Sequence, residues 1–216
     1  MKFLNKTIYL LPLLVLLSSG CATQQPYDYT SLLESKPRSI VVIPPINNSL
    51  EPEAPYVYLS TITRPLAEKG YYVFPVSMVD HFMKANGLPT PDEMNAVALD
   101  KIAENIGADA VLYATIDRWG QNYQITASVA EVDVKLKLVD VKTGTVLWNT
   151  NAYARQASGD VGGGLGGALL GALITQVLSD SIDHTPQLSR IANNNAINNA
   201  VNGLLNGPYV EVNKGL

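Results

Sequence analysis

Residues 131–138 alternate without exception between charged and apolar side chains. The apolar set is Val132, Val134, Leu136 and Leu138, and the charged set is Glu131, Asp133, Lys135 and Lys137. Because successive side chains of a strand point to opposite faces of a sheet, this period predicts an antiparallel strand with one face on a core and the other in water. Residues 140–144 (Asp-Val-Lys-Thr-Gly) then predict a turn, and residues 145–149 begin the partner strand.

Other apolar runs predict three more strands, and stretches with helical spacing predict four helices. The strands are predicted over residues 39–43, 71–74 and 110–116, and the helices over residues 57–69, 78–83, 90–106 and 191–205. The third helix has the strongest start signal, because Thr90 can cap it, Pro91 suits its first turn and Glu93 completes a capping box. In this order, the elements predict an α/β fold in which a mixed β-sheet packs with helices.

Two of these helices have a predicted inward face. On the helix of residues 90–106 it comprises Met94, Val97, Ala98, Ile102 and Ile106. On the last helix it comprises Ile197, Val201 and Leu204, and the opposite face is rich in asparagine, including Asn193, Asn194 and Asn198. Since residues at this spacing share one side of a helix, we expect the apolar set in the core and the asparagines in water.

A glycine-rich apolar segment follows the predicted hairpin. Residues 161–179 are nineteen positions without a charge, and six of them are glycines. This length reaches the threshold for spanning a bilayer. Gly163, Gly167 and Gly171 would share one face of a helix, where a second backbone can approach closely. Two interpretations remain open: a loop and helix packed within the domain, or an element that associates with a partner, with a second copy or with the membrane.

The N-terminus has the features of a secretory signal. Lys2 and Lys6 precede an apolar run from Ile8 to Leu17, and small residues then lead to Cys21, the only cysteine of the chain. The apolar run is too short to span a bilayer, which needs about 20 residues. The arrangement resembles the lipobox of bacterial lipoproteins, in which the cysteine is acylated and becomes the new N-terminus.

Two residues near Cys21 add detail to the lipobox resemblance: one departs from the usual pattern, and the other bears on the membrane to which the protein is sorted. The lipobox usually has Leu three residues before the cysteine, whereas Ser18 has that place here. An ordinary cleaved signal with an incidental cysteine is the alternative. In lipoproteins of this kind, Asp directly after the cysteine retains the protein at the inner membrane. Ala22 stands there instead, so the resemblance implies a lipid-anchored protein at the outer membrane, on its periplasmic face.

Charge and cysteine content exclude several classes of function. The net charge is -4, and removal of residues 1–20, which contain two lysines and no acidic residue, leaves -6. No run of Lys and Arg supplies the positive surface that nucleic-acid binding needs. A single cysteine allows neither an internal disulfide nor a cysteine-based zinc site. His81 and His184 lack the neighbours of a metal site.

Motifs with known chemistry are incomplete in this chain. Gly162, Gly164 and Gly167 fit G-x-G-x-x-G, but the pattern follows a predicted hairpin and no strand comes after it, so we expect no dinucleotide site. Lys142-Thr143-Gly144 matches part of the penicillin-binding-protein signature, but no Ser-x-x-Lys accompanies it, so we expect a turn. The sequence therefore predicts a protein that is not an enzyme and binds no cofactor or metal.

Three motifs carry a wider resemblance. Residues 40–49 (Ile-Val-Val-Ile-Pro-Pro-Ile-Asn-Asn-Ser) are similar to the first strand and loop of the TolB N-terminal domain and of the curli-secretion lipoprotein. Residues 103–113 resemble their step from helix through Gly-Ala-Asp to strand, and residues 138–148 their hairpin around Asp-x-x-Thr-Gly. Over about residues 38–207, the chain most resembles a family of Gram-negative outer-membrane lipoproteins first noticed among neisserial vaccine candidates. This resemblance implies a TolB-like fold and an envelope location, but no chemistry.

These observations predict five parts. They are a lipoprotein signal peptide (1–20), a lipidated tether (21–37), the α/β core (38–157), the glycine-rich apolar segment (158–180), and a C-terminal helix and tail that pack on the core (181–216). The function expected is that of an accessory or assembly subunit of an envelope transport or secretion complex. Its expected partners are the membrane, other envelope lipoproteins, channel proteins or further copies of itself. A regulator that docks on a cell-wall synthesis enzyme, and an enzyme of an unrecognised kind, are the alternatives.

Overall fold

The fold is built on a mixed β-sheet. A computed structural model describes residues 26–123, 128–157 and 183–210. The strands are β1 (Ser39–Val42), β2 (Ile46–Asn47), β3 (Tyr72–Val73), β4 (Ala110–Tyr123), β5 (Ser128–Asp140) and β6 (Val146–Ala157). The helices are α1 (Thr30–Ser35), α2 (Ala54–Glu68), α3 (Val76–Ala85), α4 (Pro91–Asn95), α5 (Leu99–Asn105) and α6 (Thr185–Ile197).

The strand order is β3-β1-β4-β5-β6, with β2 beside β4. β1 is parallel to β3 and β4, and β2 is parallel to β4, whereas β5 is antiparallel to both of its neighbours. Parallel strands need a crossover connection, and α2 to α5 lie within the connections between β2 and β4. The sequence-based prediction of an α/β fold with a mixed sheet and a C-terminal helix is confirmed.

The two faces of this sheet are covered unequally. On the inner face, α2 and α6 pack against β4, β5 and β6. The core there includes Ile40, Leu112, Val134, Leu136 and Trp148, each at most 2% exposed. On the outer face, α3, α4 and α5 cover β1 and the first residues of β4. The remainder of the outer face, along β5 and β6, stays exposed, as the alternation of residues 131–138 predicted.

The helix expected over residues 90–106 is divided into α4 and α5. The capping box at Thr90 and Glu93 forms as predicted, but α4 ends at Asn95 and the backbone of Ala98 is extended. The Asn95 side chain donates hydrogen bonds to the carbonyl oxygens of Pro44 (2.8 Å) and Pro91 (2.7 Å), which ties the end of α4 to the loop after β1. Because of this break, Ala98 is exposed rather than buried.

The last helix also ends earlier than predicted. α6 stops at Ile197, and turns follow where the sequence predicted helix as far as residue 205. The side-chain oxygen of Asn199 accepts hydrogen bonds from the backbone N–H groups of Val201 (2.8 Å) and Asn202 (3.3 Å). Asparagine competes with the helical backbone in this way, and the competition leaves Val201 53% exposed.

Asn193, expected in water, is 1% exposed. Its amide donates to the hydroxyl of Thr61 on α2 at 3.0 Å, and that hydroxyl lies 2.7 Å from the hydroxyl of Ser189. A buried polar side chain is tolerated when it is hydrogen-bonded. The three residues therefore form a polar contact between α2 and α6 that the helical pattern did not reveal.

The tether expected over residues 21–37 is replaced, in its described part, by structure packed on the domain. Leu32 of α1 is 4% exposed. The hydroxyl of Tyr29 donates to the carbonyl of Gly203 at 2.6 Å, and the Tyr27 ring lies 4.7 Å from the Tyr29 ring. Tyrosine can bury its ring while its hydroxyl finds a partner, which is why this polar-looking stretch does not remain free.

Candidate functional site

The residues that the sequence singled out for lipidation and association are Cys21, Gly163, Gly167 and Gly171, and all lie outside the described residues. His81 is exposed on α3, and His184 precedes α6, with its Nε2 buried and unpartnered among the described residues. The described residues contain no group of three or more His, Cys, Asp or Glu side chains able to hold a metal ion.

Across the three described ranges, no helix combines the length and apolar character needed to cross a membrane.

The Lys142-Thr143-Gly144 motif forms the turn between β5 and β6, as predicted. Asp140 Oδ1 accepts hydrogen bonds from the backbone N–H groups of Lys142 and Thr143, each at 2.9 Å. Gly144 has a φ of +71°, which favours glycine. Burial acts to raise the pKa of Asp140, but hydrogen bonds from Ser35, Thr143 and Lys142 hold that pKa below its ordinary value. The motif has a structural role.

The outer side chains of β4, β5 and β6 form a polar surface of exposed and partly exposed side chains, which we call the open face. It comprises Tyr113, Thr115, Asp117, Arg118, Glu131, Asp133, Lys135, Lys137, Asn149, Asn151, Tyr153 and Arg155. Within it Asp133 is buried, at 7% exposure. The strand register arranges these residues in rows, such as Tyr113–Lys137–Asn149 and Arg118–Asp133–Tyr153. Directly opposite side chains on antiparallel strands lie close enough to interact, so each row is a continuous contact surface.

A β-bulge in β4 at Asp117 orders the charges of the open face. Asp117 and Arg118 stand next to each other, and each meets an opposite charge on β5. Lys135 Nζ lies 2.6 Å from Asp117 Oδ2, and the Arg118 guanidinium lies 2.8 Å from Glu131 Oε1 and 2.5 Å from Asp133 Oδ2. The hydrogen bond to Asp133 raises the pKa of Arg118, and the one from Lys135 lowers the pKa of Asp117. Exposed ion pairs add little stability, but this network holds the side chains in defined positions.

Two aromatic rings flank these charges. The Arg118 guanidinium lies 5.7 Å from the centre of the Tyr153 ring, and Lys137 Nζ lies 5.5 Å from that of Tyr113. Tyr153 is 45% exposed. Among the described residues, Lys137 and Arg155 form no ion pair. Exposed tyrosine and arginine side chains are enriched at the centres of protein interfaces.

A crevice of about 770 Å³ lies where the open face meets the helical layer. Its floor includes Tyr113, Thr115, Lys135 and Lys137, and its wall includes Ile46, Asn95 and Leu99. Since Asn95 is fixed by its bonds to Pro44 and Pro91, the wall is pre-formed. Binding pockets commonly have volumes of roughly 300–1,000 Å³, with apolar walls and a few polar groups. The crevice can therefore accept a protruding side chain or a short segment of a partner.

Comparison with known proteins identifies the family of this chain. Residues 27–209 match the family described as "Putative lipoprotein GNA1162-like". The chain belongs to this family. Within it, protein NMB1124/NMB1162 of Neisseria meningitidis serogroup B is 42% identical over 146 residues, which is 67% of this chain and 68% of that protein.

The fold has solved counterparts. The crystal structure of lipoprotein GNA1162 from Neisseria meningitidis is similar to it with a TM-score of 0.56 and 39% sequence identity, over 65% of this chain and 97% of that chain. A more remote similarity, with a TM-score of 0.39 and 17% identity, is to the PelC dodecamer from Paraburkholderia phytofirmans, over 61% of this chain and 78% of that chain. The family resemblance seen in the sequence is confirmed, and this protein is an envelope lipoprotein of the GNA1162-like family.

Sequence reasoning placed Lys135 and Lys137 in water but did not identify the crevice. Ile46, Asn95, Tyr113 and Lys137 come from separate segments that only the folded sheet brings together. One signal was present: Tyr113 and Tyr153 are aromatic residues that the register places on the water-facing side of the sheet. Exposed aromatic side chains on a charged sheet face indicate a contact surface.

Proposed function

We propose that this lipoprotein is anchored through lipid on Cys21 at the periplasmic face of the outer membrane. We further propose that it is not an enzyme and acts as an accessory or assembly subunit of an envelope transport or secretion complex. Membership of the GNA1162-like lipoprotein family supports the anchor, and Ala22, in place of Asp, supports the outer membrane. The exposed open face with its crevice is the observation that supports docking of a partner.

The arrangement of the open face suits a protein partner. Five of its seven charges are paired with one another, so a partner need not reorganise them on binding, and Lys137 and Arg155 have no ion-pair partner among the described residues. The crevice provides a recess beside two basic side chains, Lys135 and Lys137. The open face carries four basic and three acidic side chains, whereas the chain without residues 1–20 has a net charge of -6. A partner with an acidic protrusion fits this surface by charge and shape.

Docking on the open face can be tested by placing a photo-crosslinking amino acid at Lys137 in the full-length lipoprotein, expressed in its native host. We expect a discrete adduct with an envelope lipoprotein or channel protein, identified by mass spectrometry. Ser60 is the matched control, because it is exposed on α2, the helix that packs against the opposite face of the sheet. The same adduct should be absent when Ser60 carries the crosslinker.

Other results would contradict this assignment in different ways. A Lys137 adduct with a peptidoglycan synthase would contradict the transport role and favour a regulator of a cell-wall synthesis enzyme. Equal adducts from Lys137 and Ser60, or no adduct from Lys137, show that the open face is not the docking surface.

We also propose that residues 161–178 contribute to association, with copies of this protein or with a channel-forming lipoprotein. Glycine in a helix costs up to about 1 kcal/mol relative to alanine, and close approach of a second backbone offsets that loss. Replacement of Gly163, Gly167 and Gly171 together by Leu is expected to reduce the mass measured by light scattering, while the domain still melts cooperatively. An unchanged mass would show that these glycines do not contribute to association.

A further inference from the structure

β6 forms a long edge of the sheet. Among the described residues its one strand neighbour is β5, and it extends over 12 residues, whereas β3 at the opposite edge has 2. Proteins usually protect exposed edges by short strands, prolines, lysines or bulges. β6 contains no proline and no lysine, and its pairing with β5 is regular from Trp148 to Ala157. Among the described residues, the stretch from Trp148 to Ala157 is thus protected by neither proline, lysine nor bulge, and Arg155 is its one charged side chain.

The contact of Tyr27 with β6 shows which backbone groups point outward. The hydroxyl of Tyr27 accepts a hydrogen bond from the N–H of Asn149 at 2.9 Å and lies 3.4 Å from its carbonyl oxygen. Both groups of Asn149 therefore face away from β5. Because backbone direction alternates along an antiparallel strand, Asn151, Tyr153 and Arg155 turn their N–H and C=O groups to the same side.

These three residues form a stretch of the edge that no other described residue occupies. Their side chains are exposed, and no hydrogen bond to another described residue satisfies their outward backbone groups. Within the described ranges, hydrogen bonds from other segments reach β6 near its beginning, where Tyr27 contacts Asn149 and Asn202 contacts Thr150. In the described part of the chain, three N–H groups and three C=O groups thus remain for a further strand to pair with.

We propose that β6 pairs antiparallel with β6 of a second copy, around a twofold axis at Tyr153. Tyr153 then lies opposite Tyr153 of the second copy, and Asn151 lies opposite Arg155 of the second copy. All six outward backbone groups of each chain are paired, which gives six hydrogen bonds across the axis. The two sheets become one, and the two open faces become one continuous surface.

Charge and hydrogen bonding together favour this register. An axis at Arg155 would place two guanidinium groups directly opposite each other, which is destabilising. An axis at Ala152 would place Arg155 opposite Asn149, whose outward groups already contact Tyr27. An axis at Ala154 would place Asn151 opposite Ala157, the last residue of β6, so that the pairing would depend on the end of the strand. With the axis at Tyr153, no like charges are opposed, two tyrosine rings meet on the open face, and the small side chains of Ala152 and Ala154 meet on the inner face. The strand is therefore complementary to itself.

The register can be tested by single cysteines in the full-length chain under mild oxidation. Directly opposite residues of a hydrogen-bonded antiparallel pair have Cα atoms about 5.5 Å apart, a distance suited to a disulfide. We expect Tyr153→Cys to form a disulfide-linked dimer. Asn151→Cys alone and Arg155→Cys alone should not, because each lies about 14 Å from its own counterpart at ~3.4 Å per residue. Co-expression of Asn151→Cys with Arg155→Cys should restore the dimer.

Two controls make the test specific. The wild-type chain has only Cys21, so a disulfide dimer of the wild type would reveal a free thiol at that position. Adding Asn151→Pro to Tyr153→Cys removes an outward N–H without removing a bond to β5, and is expected to abolish the dimer without changing the thermal melt. Absence of the Tyr153→Cys dimer, equal dimers from all three single variants, or a disulfide adduct of the Tyr153→Cys variant with a different protein would each overturn the proposal. The crevice and Lys137 are not part of the paired edge, so failure here leaves the docking experiment unaffected.

Discussion

Replacement of Leu136 by Asp is expected to lower the free energy of unfolding by at least about 4 kcal/mol, out of roughly 5–15 kcal/mol for a domain of this size. Leu136 is 2% exposed and lies in the inner core, so the new carboxylate would be buried without a partner. Thermal unfolding followed by circular dichroism should show a much lower midpoint or no cooperative transition.

Lys137 provides the matched control on the same strand. Its side chain is exposed on the open face, so Lys137→Asp introduces the same residue one position away and should change the stability by less than about 1 kcal/mol. Equal effects of the two substitutions would show that β5 does not have the inner and outer faces described above.

Replacement of Cys21 by Ser is expected to move nearly all of the protein from the membrane fraction to the soluble periplasmic fraction. A single acyl chain gives only marginal membrane binding and several chains are needed for stable anchoring, so removing the acylation site removes the anchor. The measurement is immunoblotting of both fractions after a high-salt wash. The melting temperature should be unchanged, because Cys21 precedes Tyr27, the first described residue that packs on the core. Retention of the variant in the washed membranes would show that the lipid is not the anchor.

The parts of the fold that were predicted from sequence are those governed by local rules. The alternation around Leu136 identified the inner face of β5, since one period determines the direction of every side chain. The capping box at Thr90 and Glu93 and the turn after Asp140 were likewise predicted, because their hydrogen bonds join residues close in sequence. Each of these features is set within a few residues.

The features that were missed depend on contacts between distant segments. Asn193 was assigned to water because its partner Thr61 lies 132 residues away. Tyr29 was assigned to a tether because its partner, the carbonyl of Gly203, lies 174 residues away. The crevice and the free edge of β6 could not be predicted either, because a strand has an edge only once the order of all strands is known. Local patterns contain no information about that order.

The short segment between Cys21 and Tyr27 restricts how the proposed β6–β6 dimer can be oriented on a bilayer. Six residue steps separate Cys21 from Tyr27, so the distance between the lipidated cysteine and the domain is at most about 20 Å. In the proposed pair, the two Asn149 residues, each held by its own Tyr27, lie about 27 Å apart along the strands at ~3.4 Å per residue. If the strands stood upright, the second lipid could not reach the membrane that holds the first. The joined strands must therefore lie along the membrane surface with the twofold axis perpendicular to it, so that both copies are held at the same height.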